Sequence, residues 1–209
     1  MLSMRRMAMS RGVVFVISGP SGVGKGTLLN ALIDRNKDKI GYSVSATTRD
    51  KRDGEIEGVH YFFKTNEEFD ELIKIGDVLE YDTYSGNRYG TLKSVLMDAI
   101  NIGKSIALDI TVPGAMALKE SLKNDVVTVF IMPPSVEVLR QRLTDRNREG
   151  LDEIEERIRF AVQSELSKYY DYDYVVINND LEKAVDDLEN ILNAEFLRVN
   201  RNPDLLDKV

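Results

Sequence analysis

Residues 19–27 read GPSGVGKGT and decide the architecture. They fill all three fixed positions of G-x-x-x-x-G-K. An apolar run, VVFVIS, leads in at 13–18, and LLNALI leads out at 28–33. Strand, glycine loop and helix in that order make a cradle for phosphate. The glycines let backbone N–H groups turn inward, and the helix N-terminus adds partial positive charge. Ser21, Gly22, Val23, Gly24, Lys25, Gly26 and Thr27 would line the cradle, with Lys25 reaching the outer phosphates. The other reading of such a segment is a glycine-rich turn with a solvent-facing lysine. Gly26 stands where most such loops carry a Ser or Thr that ligates Mg²⁺. An ion here is expected to rest mainly on nucleotide and water oxygens, close to Thr27 and Asp109, with no direct protein ligand assured. Asp109 ends the apolar run SIALD, where a helix cap or a structural ion pair is its alternative role.

Outward from the loop, Val- and Ile-rich runs at 13–18, 105–110, 126–132 and 174–178 alternate with helix-like stretches. The helices fall at 25–35, 92–102, 114–123, 135–147, 152–170 and 181–199. On the last, Leu181, Val185, Leu188, Leu192 and Val199 share one face. This alternation predicts an α/β fold: a three-layer core with a parallel sheet covered on both sides. Residues 42–91 break the rhythm. YSVSATT, HYFF and VLEYDTY alternate apolar and polar residues, and TNEE at 65–68 is a capping box that starts a helix. They predict a small antiparallel or mixed lobe inserted into the core. A second excursion, 137–160, reads as two polar helices joined at 148–151, forming a helical lid. Residues 1–11 read as a disordered extension, 12–41 and 92–136 as core, and 161–209 as core with the C-terminal helix.

The chain has 209 residues, 43% of them hydrophobic and 30% charged, which describes an ordinary globular protein with room for such insertions. It contains no cysteine, which excludes disulfides and thiolate metal sites and fits the reducing cytoplasm. No apolar run is long enough to cross a membrane, and the start, MLSMRRMAMSRG, lacks the apolar segment of a signal peptide. The formal charge of −7 argues against general binding to a nucleic-acid backbone. A bound anion must be met by a local cluster. Two are visible: Arg49, Lys51 and Arg52, then Arg140, Arg142, Arg146 and Arg148.

Arg49 and Arg52, three apart in a turn, are spaced to converge on one phosphate, although a solvated basic turn has the same pattern. Arg142 and Arg146 share a helix face, and Arg157 lies on the next helix. They suit either the transferring γ-phosphoryl group or a salt-bridged surface with Glu149, Glu153, Glu155 and Glu156.

SVSATTRDKRDGEIEGVHYFF at 43–63 and LEYDTYSGNRYGT at 79–91 resemble the guanylate kinase family, whose pattern is S-x-S-x-T-T-R-x-x-R-x-G-E-x-x-G-x-x-Y-x-F, then E-x-x-x-x-x-G-x-x-Y-G-[ST]. With the phosphate loop, the arginine helices and VVINND at 175–180, the resemblance spans about residues 12–198. It implies a P-loop NTPase core, a GMP-binding lobe at 42–91, and an enzyme that transfers phosphate from ATP to GMP, and to dGMP, with Mg²⁺ as cofactor. Ser45, Arg49, Arg52, Tyr61 and Tyr89 would hold the acceptor phosphate. Glu80 would accept from guanine N1–H and the 2-amino group, with Thr91 donating to O6. Lys25, Arg49, Arg142, Arg146 and Arg157 would serve the transfer, and Asn178 would lie beside adenine. The chain departs from the family at DITVPG, where D-x-D-x-Q-G is usual: Asp109 is kept, but Thr111 replaces an acid that helps read the guanine amino group. This leaves a kinase for another monophosphate, such as AMP, as one alternative. A non-catalytic peptide-binding module of the same fold is the other; the intact Lys25 and lid arginines oppose it.

Overall fold

The computed structural model describes residues 11–145 and 150–202. Its centre is β1 (Val14–Ser18), buried along its whole length. Side chains alternate across this strand. Phe15 and Ile17 pack with Leu28, Leu29 and Leu32 of α1 (Lys25–Arg35). Val14 and Val16 face the other way, onto Leu96, Ile100 and Leu118. Burial on both faces explains why β1 reads as a continuous apolar run.

Four strands flank β1 in parallel, in the order β2-β7-β1-β8-β9. They are β2 (Ile40–Tyr42), β7 (Ser105–Asp109), β8 (Val126–Met132) and β9 (Tyr174–Ile177). The expected three-layer core is present. The edge strand β2 was not anticipated, and it takes Tyr42, read as the start of the lobe, into the core sheet. Three residues, IGY, carry too little alternation to signal a strand.

The lobe is a second sheet, ordered β4-β3-β6-β5. β3 (Ala46–Thr47) pairs in parallel with β4 (Phe62–Phe63) and antiparallel with β6 (Asn87–Leu92). β5 (Val78–Tyr84) and β6 form a hairpin. Its two turn residues, Ser85 and Gly86, both have positive φ, 49° and 77°, the geometry that matches strand twist in two-residue hairpins. The capping box closes as the sequence predicts: Thr65 Oγ1 accepts from Glu68 N at 3.1 Å, and Glu68 Oε2 from Thr65 N at 2.8 Å, starting α2 (Asn66–Lys74). Phe69 anchors that helix under the sheet, fully buried. Arg88, to which the sequence assigned no role, lies 4.6 Å over the Phe69 ring and pairs with Asp70 at 2.5 Å.

The remaining helices are α3 (Lys93–Asn101), α4 (Val112–Leu122), α5 (Val136–Asp145), α6 (Leu151–Phe160) and α7 (Leu181–Phe196). Three expectations about the helices need correction. Helix α4 starts two residues before the predicted 114, because Thr111 caps it. The single helix expected at 152–170 ends at Phe160 and passes into a π-helical turn, Ala161–Glu165, then a 3₁₀ segment, Leu166–Asp171. Val199 lies beyond α7 and is exposed, as is Leu181 at its start; of the five residues expected to share the face, Val185, Leu188 and Leu192 are buried, with Ala184 and Glu195 beside them. Residue 11, read as part of a disordered extension, is tied down. Its N–H donates to the Arg201 carbonyl at 2.9 Å, and the buried Arg201 side chain pairs with Glu195 at 3.1 Å.

Candidate active site

The loop between β1 and α1 closes on itself through Val23 N–H, which donates to Pro20 O at 3.2 Å. Helix α1 has no side-chain cap and no acid in its first turn, so its N-terminal N–H groups and dipole face the loop's cavity. Gly22 and Gly24 hold φ of +86° and +100°. A Cβ at Gly24 would sit 2.6 Å from Asn178 Nδ2, and one at Gly22 2.7 Å from Leu143 Cδ2. Both the dihedral and the crowding require glycine there. Asn178 and Arg142 brace the loop from behind: Asn178 Nδ2 donates to Val23 O at 2.8 Å, and Arg142 to Val23 O at 3.1 Å and Asn178 O at 2.8 Å. Lys25 Nζ donates to Gly19 O at 2.8 Å and Pro20 O at 3.3 Å, and stands 3.9 Å from Asp109.

Gly26 faces Asp109. A Cβ there would lie 3.8 Å from Asp109 Oδ2, so the space a hydroxyl side chain would use is open beside a carboxylate. Burial holds the Asp109 carboxyl above its ordinary pKa, and Lys25 offsets part of that rise. Among the described residues, no three His, Cys, Asp or Glu side chains converge as a metal cage. This donor set fits an ion brought in by a nucleotide, with Asp109 at its side.

In front of the loop lies a cleft of about 510 Å³ whose opposite wall is the lobe. Of the residues singled out by sequence, Ser21, Lys25, Ser45, Glu80, Tyr89, Thr91, Asp109 and Thr111 face it. Glu80 and Thr91 are cross-strand partners, and the Thr91 hydroxyl donates to Glu80 Oε1 at 2.5 Å. Burial pushes the Glu80 carboxyl up, against the lowering effect of that bond. Thr111 is the N-cap of α4: its hydroxyl accepts from Gly114 N at 3.4 Å. Glu80 Oε2 comes within 3.3 Å of where a Gly114 side chain would begin. The side chain that replaces the family's second acid thus serves a helix end beside Glu80.

Arg49, Arg52 and Tyr61 do not line that cleft; Arg49 and Tyr61 reach it through Tyr89. Arg49 forks onto Glu55 at 2.7 and 3.1 Å, and its guanidinium lies 5.4 Å from the Tyr61 ring, itself 5.9 Å from the Tyr89 ring. Glu55 also accepts from Arg52 N at 2.8 Å. These bonds, Arg49 first, lower the Glu55 pKa from an ordinary 4.5 to about 2.

The lid arginines separate. Arg142 lines a second cavity of about 420 Å³ with Gly22, Gly24, Thr27 and Asn178. It lies behind the loop, not above it, because Leu139 and Leu143 on the same helix are buried in the main core. Arg157 donates to Ser21 Oγ at 3.3 Å, at the loop's mouth. Arg146 lies outside the described residues.

Sequence reasoning missed Asp82 and Glu165, which also face the cleft, and the partner role of Glu55. Asp82 was findable: two residues past Glu80 on a strand, it shares Glu80's face. Glu165 was not, because the π-helical turn that places it has no periodic signature.

A sequence profile described as guanylate kinase matches residues 11–195. The guanylate kinase of Oceanobacillus iheyensis is 40% identical over 195 residues, 93% of either chain. That of Mycoplasma pneumoniae is 46% identical over 185 residues, 88% of this chain and 77% of its own. The crystal structure of guanylate kinase from Anaplasma phagocytophilum superposes with a TM-score of 0.65 at 38% identity, covering 92% of this chain and 90% of that one. The profile covers the loop, the lobe and both arginine helices, and on that match the chain belongs to the guanylate kinase family.

Proposed function

We propose that the protein transfers the γ-phosphoryl group of ATP directly to GMP, giving ADP and GDP. A GMP phosphate oxygen attacks the γ-phosphorus while the bond to the β-phosphate bridging oxygen breaks, so no covalent enzyme intermediate is needed. The observation that carries this reading is the shared cleft: Lys25 and open helix N–H groups on one wall, the Glu80–Thr91 pair on the other. The first wall suits a triphosphate. The second offers a carboxylate to two guanine donors, and the Thr91 hydroxyl, which here donates to Glu80, turns to O6 once those donors occupy the carboxylate, an arrangement adenine does not match.

In this reading Ser21 to Thr27 cradle the ATP phosphates and Lys25 offsets charge on the transferring group. Gly22, Gly24, Thr27 and Asn178 flank the adenosine side. Arg49, Arg52, Tyr61, Tyr89 and Ser45 hold the acceptor phosphate, Arg49 being pre-set by Glu55. Arg157, and Arg146 with it, approach the γ-phosphoryl group on closure; Arg142 steadies the loop. Mg²⁺ carried by ATP, beside Asp109, supplies neutralising charge at the phosphoryl oxygens when bound. Positioning and electrostatics then do the catalysis. The reading places the protein in the cytoplasm, where both nucleotides are available.

An ADP-release assay across GMP, dGMP, IMP and AMP tests it. GMP is expected to give the highest kcat/KM; preference for AMP over GMP overturns the assignment.

A further inference from the structure

The cleft holds a carboxylate that phosphoryl transfer to a guanine nucleotide does not use. Asp82 follows Glu80 by two residues on β5 and stands opposite Tyr89, whereas Glu80 stands opposite Thr91. The irregularity in this hairpin lies before Glu80, between it and Val78, so residues 80 to 82 keep strict alternation and share a face. Two strand residues span roughly 6.6 Å. Asp82 is therefore displaced from the Glu80 end of the wall toward the Tyr89 end.

Its surroundings do not neutralise it. Asp82 Oδ1 accepts only from its neighbour Thr83 N, at 2.7 Å, and among the described residues it joins no ion pair. Arg88, the cation nearest in the ladder, is committed to Asp70 and Asn66. The charge of Asp82 is felt at Glu80, where it adds to the rise in pKa caused by burial.

An unpaired carboxylate beside a phosphate site repels the ligand unless the ligand offers it a donor. A nucleoside monophosphate carries donors in two places: the base edge and the ribose hydroxyls. With the base edge at Glu80 and the phosphate beyond Tyr89, the sugar faces the stretch of wall between them. We propose that Asp82 is a specificity-determining residue that accepts a hydrogen bond from the acceptor's ribose 2′-hydroxyl, so that the protein favours GMP over dGMP. This rests on the reading of the cleft as a guanine nucleotide acceptor site. A hydrogen bond to a buried charged group is worth tenfold or more, and Asp82 is solvent-exposed, so the expected preference is about fivefold.

The test compares kcat/KM for GMP, dGMP and IMP at saturating ATP, in the wild type, Asp82→Ala and Asp82→Asn. Each preference is a ratio within one protein sample, so it does not depend on how much of a variant is folded. The wild-type GMP:dGMP ratio is expected near five. Asp82→Ala should bring it close to one, mainly through KM for GMP, and Asp82→Asn should retain part of it, because the amide oxygen still accepts. IMP carries the same ribose, so the GMP:IMP ratio should stay constant across the three proteins. A wild-type GMP:dGMP ratio near one overturns the proposal, as does a ratio that Asp82→Ala leaves unchanged. A change confined to GMP:IMP also overturns it, since Asp82 would then be reading the base amino group. Failure of the wild type to phosphorylate any guanine or hypoxanthine nucleotide would instead overturn the underlying reading of the cleft.

Discussion

The phosphate loop and the lobe face each other across one cleft, yet they are built from different material. The loop works with backbone. Its donors are peptide N–H groups, its shape depends on Gly22 and Gly24 at positive φ, and other chain segments hold it from behind through Val23 O. The lobe works with side chains, and these are already paired: Arg49 with Glu55, Thr91 with Glu80. A backbone site recognises what all nucleoside triphosphates share. A site of paired side chains discriminates, because the wrong ligand leaves a charged group without its partner. The loop should therefore be sensitive to added atoms, and the lobe to altered charge.

The sharpest break comes at the charged side chain of the loop itself. Lys25→Met should lower kcat about 10²–10³-fold with an unchanged circular dichroism spectrum; retention of more than about a tenth of the activity would remove Lys25 from the transfer step. On the lobe side, Glu80→Gln turns one acceptor into a donor facing guanine donors. It should lower kcat/KM for GMP about 10–100-fold while leaving the affinity for an ATP analogue unchanged. Equal losses on both sides would mean that the two walls are not separate sites.

Gly24→Ala tests the loop without touching charge. The added Cβ meets Asn178 at 2.6 Å in a backbone conformation unfavourable to alanine, so the protein should lose about 1–3 kcal/mol of stability in denaturant titration. Affinity for the ATP analogue should fall more than affinity for GMP.

The two lobe carboxylates should answer pH in opposite senses. Glu55, depressed to about 2, contributes stability that is complete above 4.5 and lost as pH falls through about 2. Glu80, raised above 4.5, costs stability at neutral pH, and that cost disappears as pH falls through its raised pKa. Activity runs the other way: kcat/KM for GMP should fall on acidification as Glu80 takes up a proton, and in Glu80→Gln that acid limb should vanish.

The smallest effect is expected from Thr111→Asp. Aspartate caps helices as well as threonine, so α4 should keep its start and the melting temperature should hold. A carboxylate there could also accept from the guanine amino group, against repulsion from Glu80. KM for GMP should fall about two- to fivefold, with IMP unaffected. Equal gains for both would separate residue 111 from base reading.

How much could be read beforehand follows the same division. The loop, β1, β7 and β8 were legible because burial on both faces writes long apolar runs and the glycine spacing is fixed by phosphate; the edge strand β9 was legible from its β-branched run, although Val175 and Ile177 are exposed. The capping box at Thr65 was legible because it is a local device. The edge strand β2 was too short to show a period. Helix α4 was placed two residues late because a Thr–Val–Pro start does not look helical until Thr111 is seen to cap it. Within the site, residues that touch ligand chemistry directly, such as Glu80 and Thr91, stood out by type and position. Glu55 did not, since its role is a bond to another side chain. Nor did the bracing position of Arg142, which depends on Leu139 and Leu143 turning α5 toward the core.

The π-helical turn at Ala161–Glu165 has a consequence for length variation in this segment. A π turn holds one residue more than the α-helical ring it replaces. Removing a single residue there would let α6 run on as a regular helix, and because the π turn carries one residue in excess, the side chains beyond it would keep their faces. Glu165, inside the turn, would lose the bulge that sets it on the cleft wall, while Tyr172 would stay edge-on against Phe130 at 5.1 Å. A one-residue deletion here should therefore be felt at the cleft and not in the core, whereas the same deletion in a regular turn of α6 would rotate everything after it by about 100°.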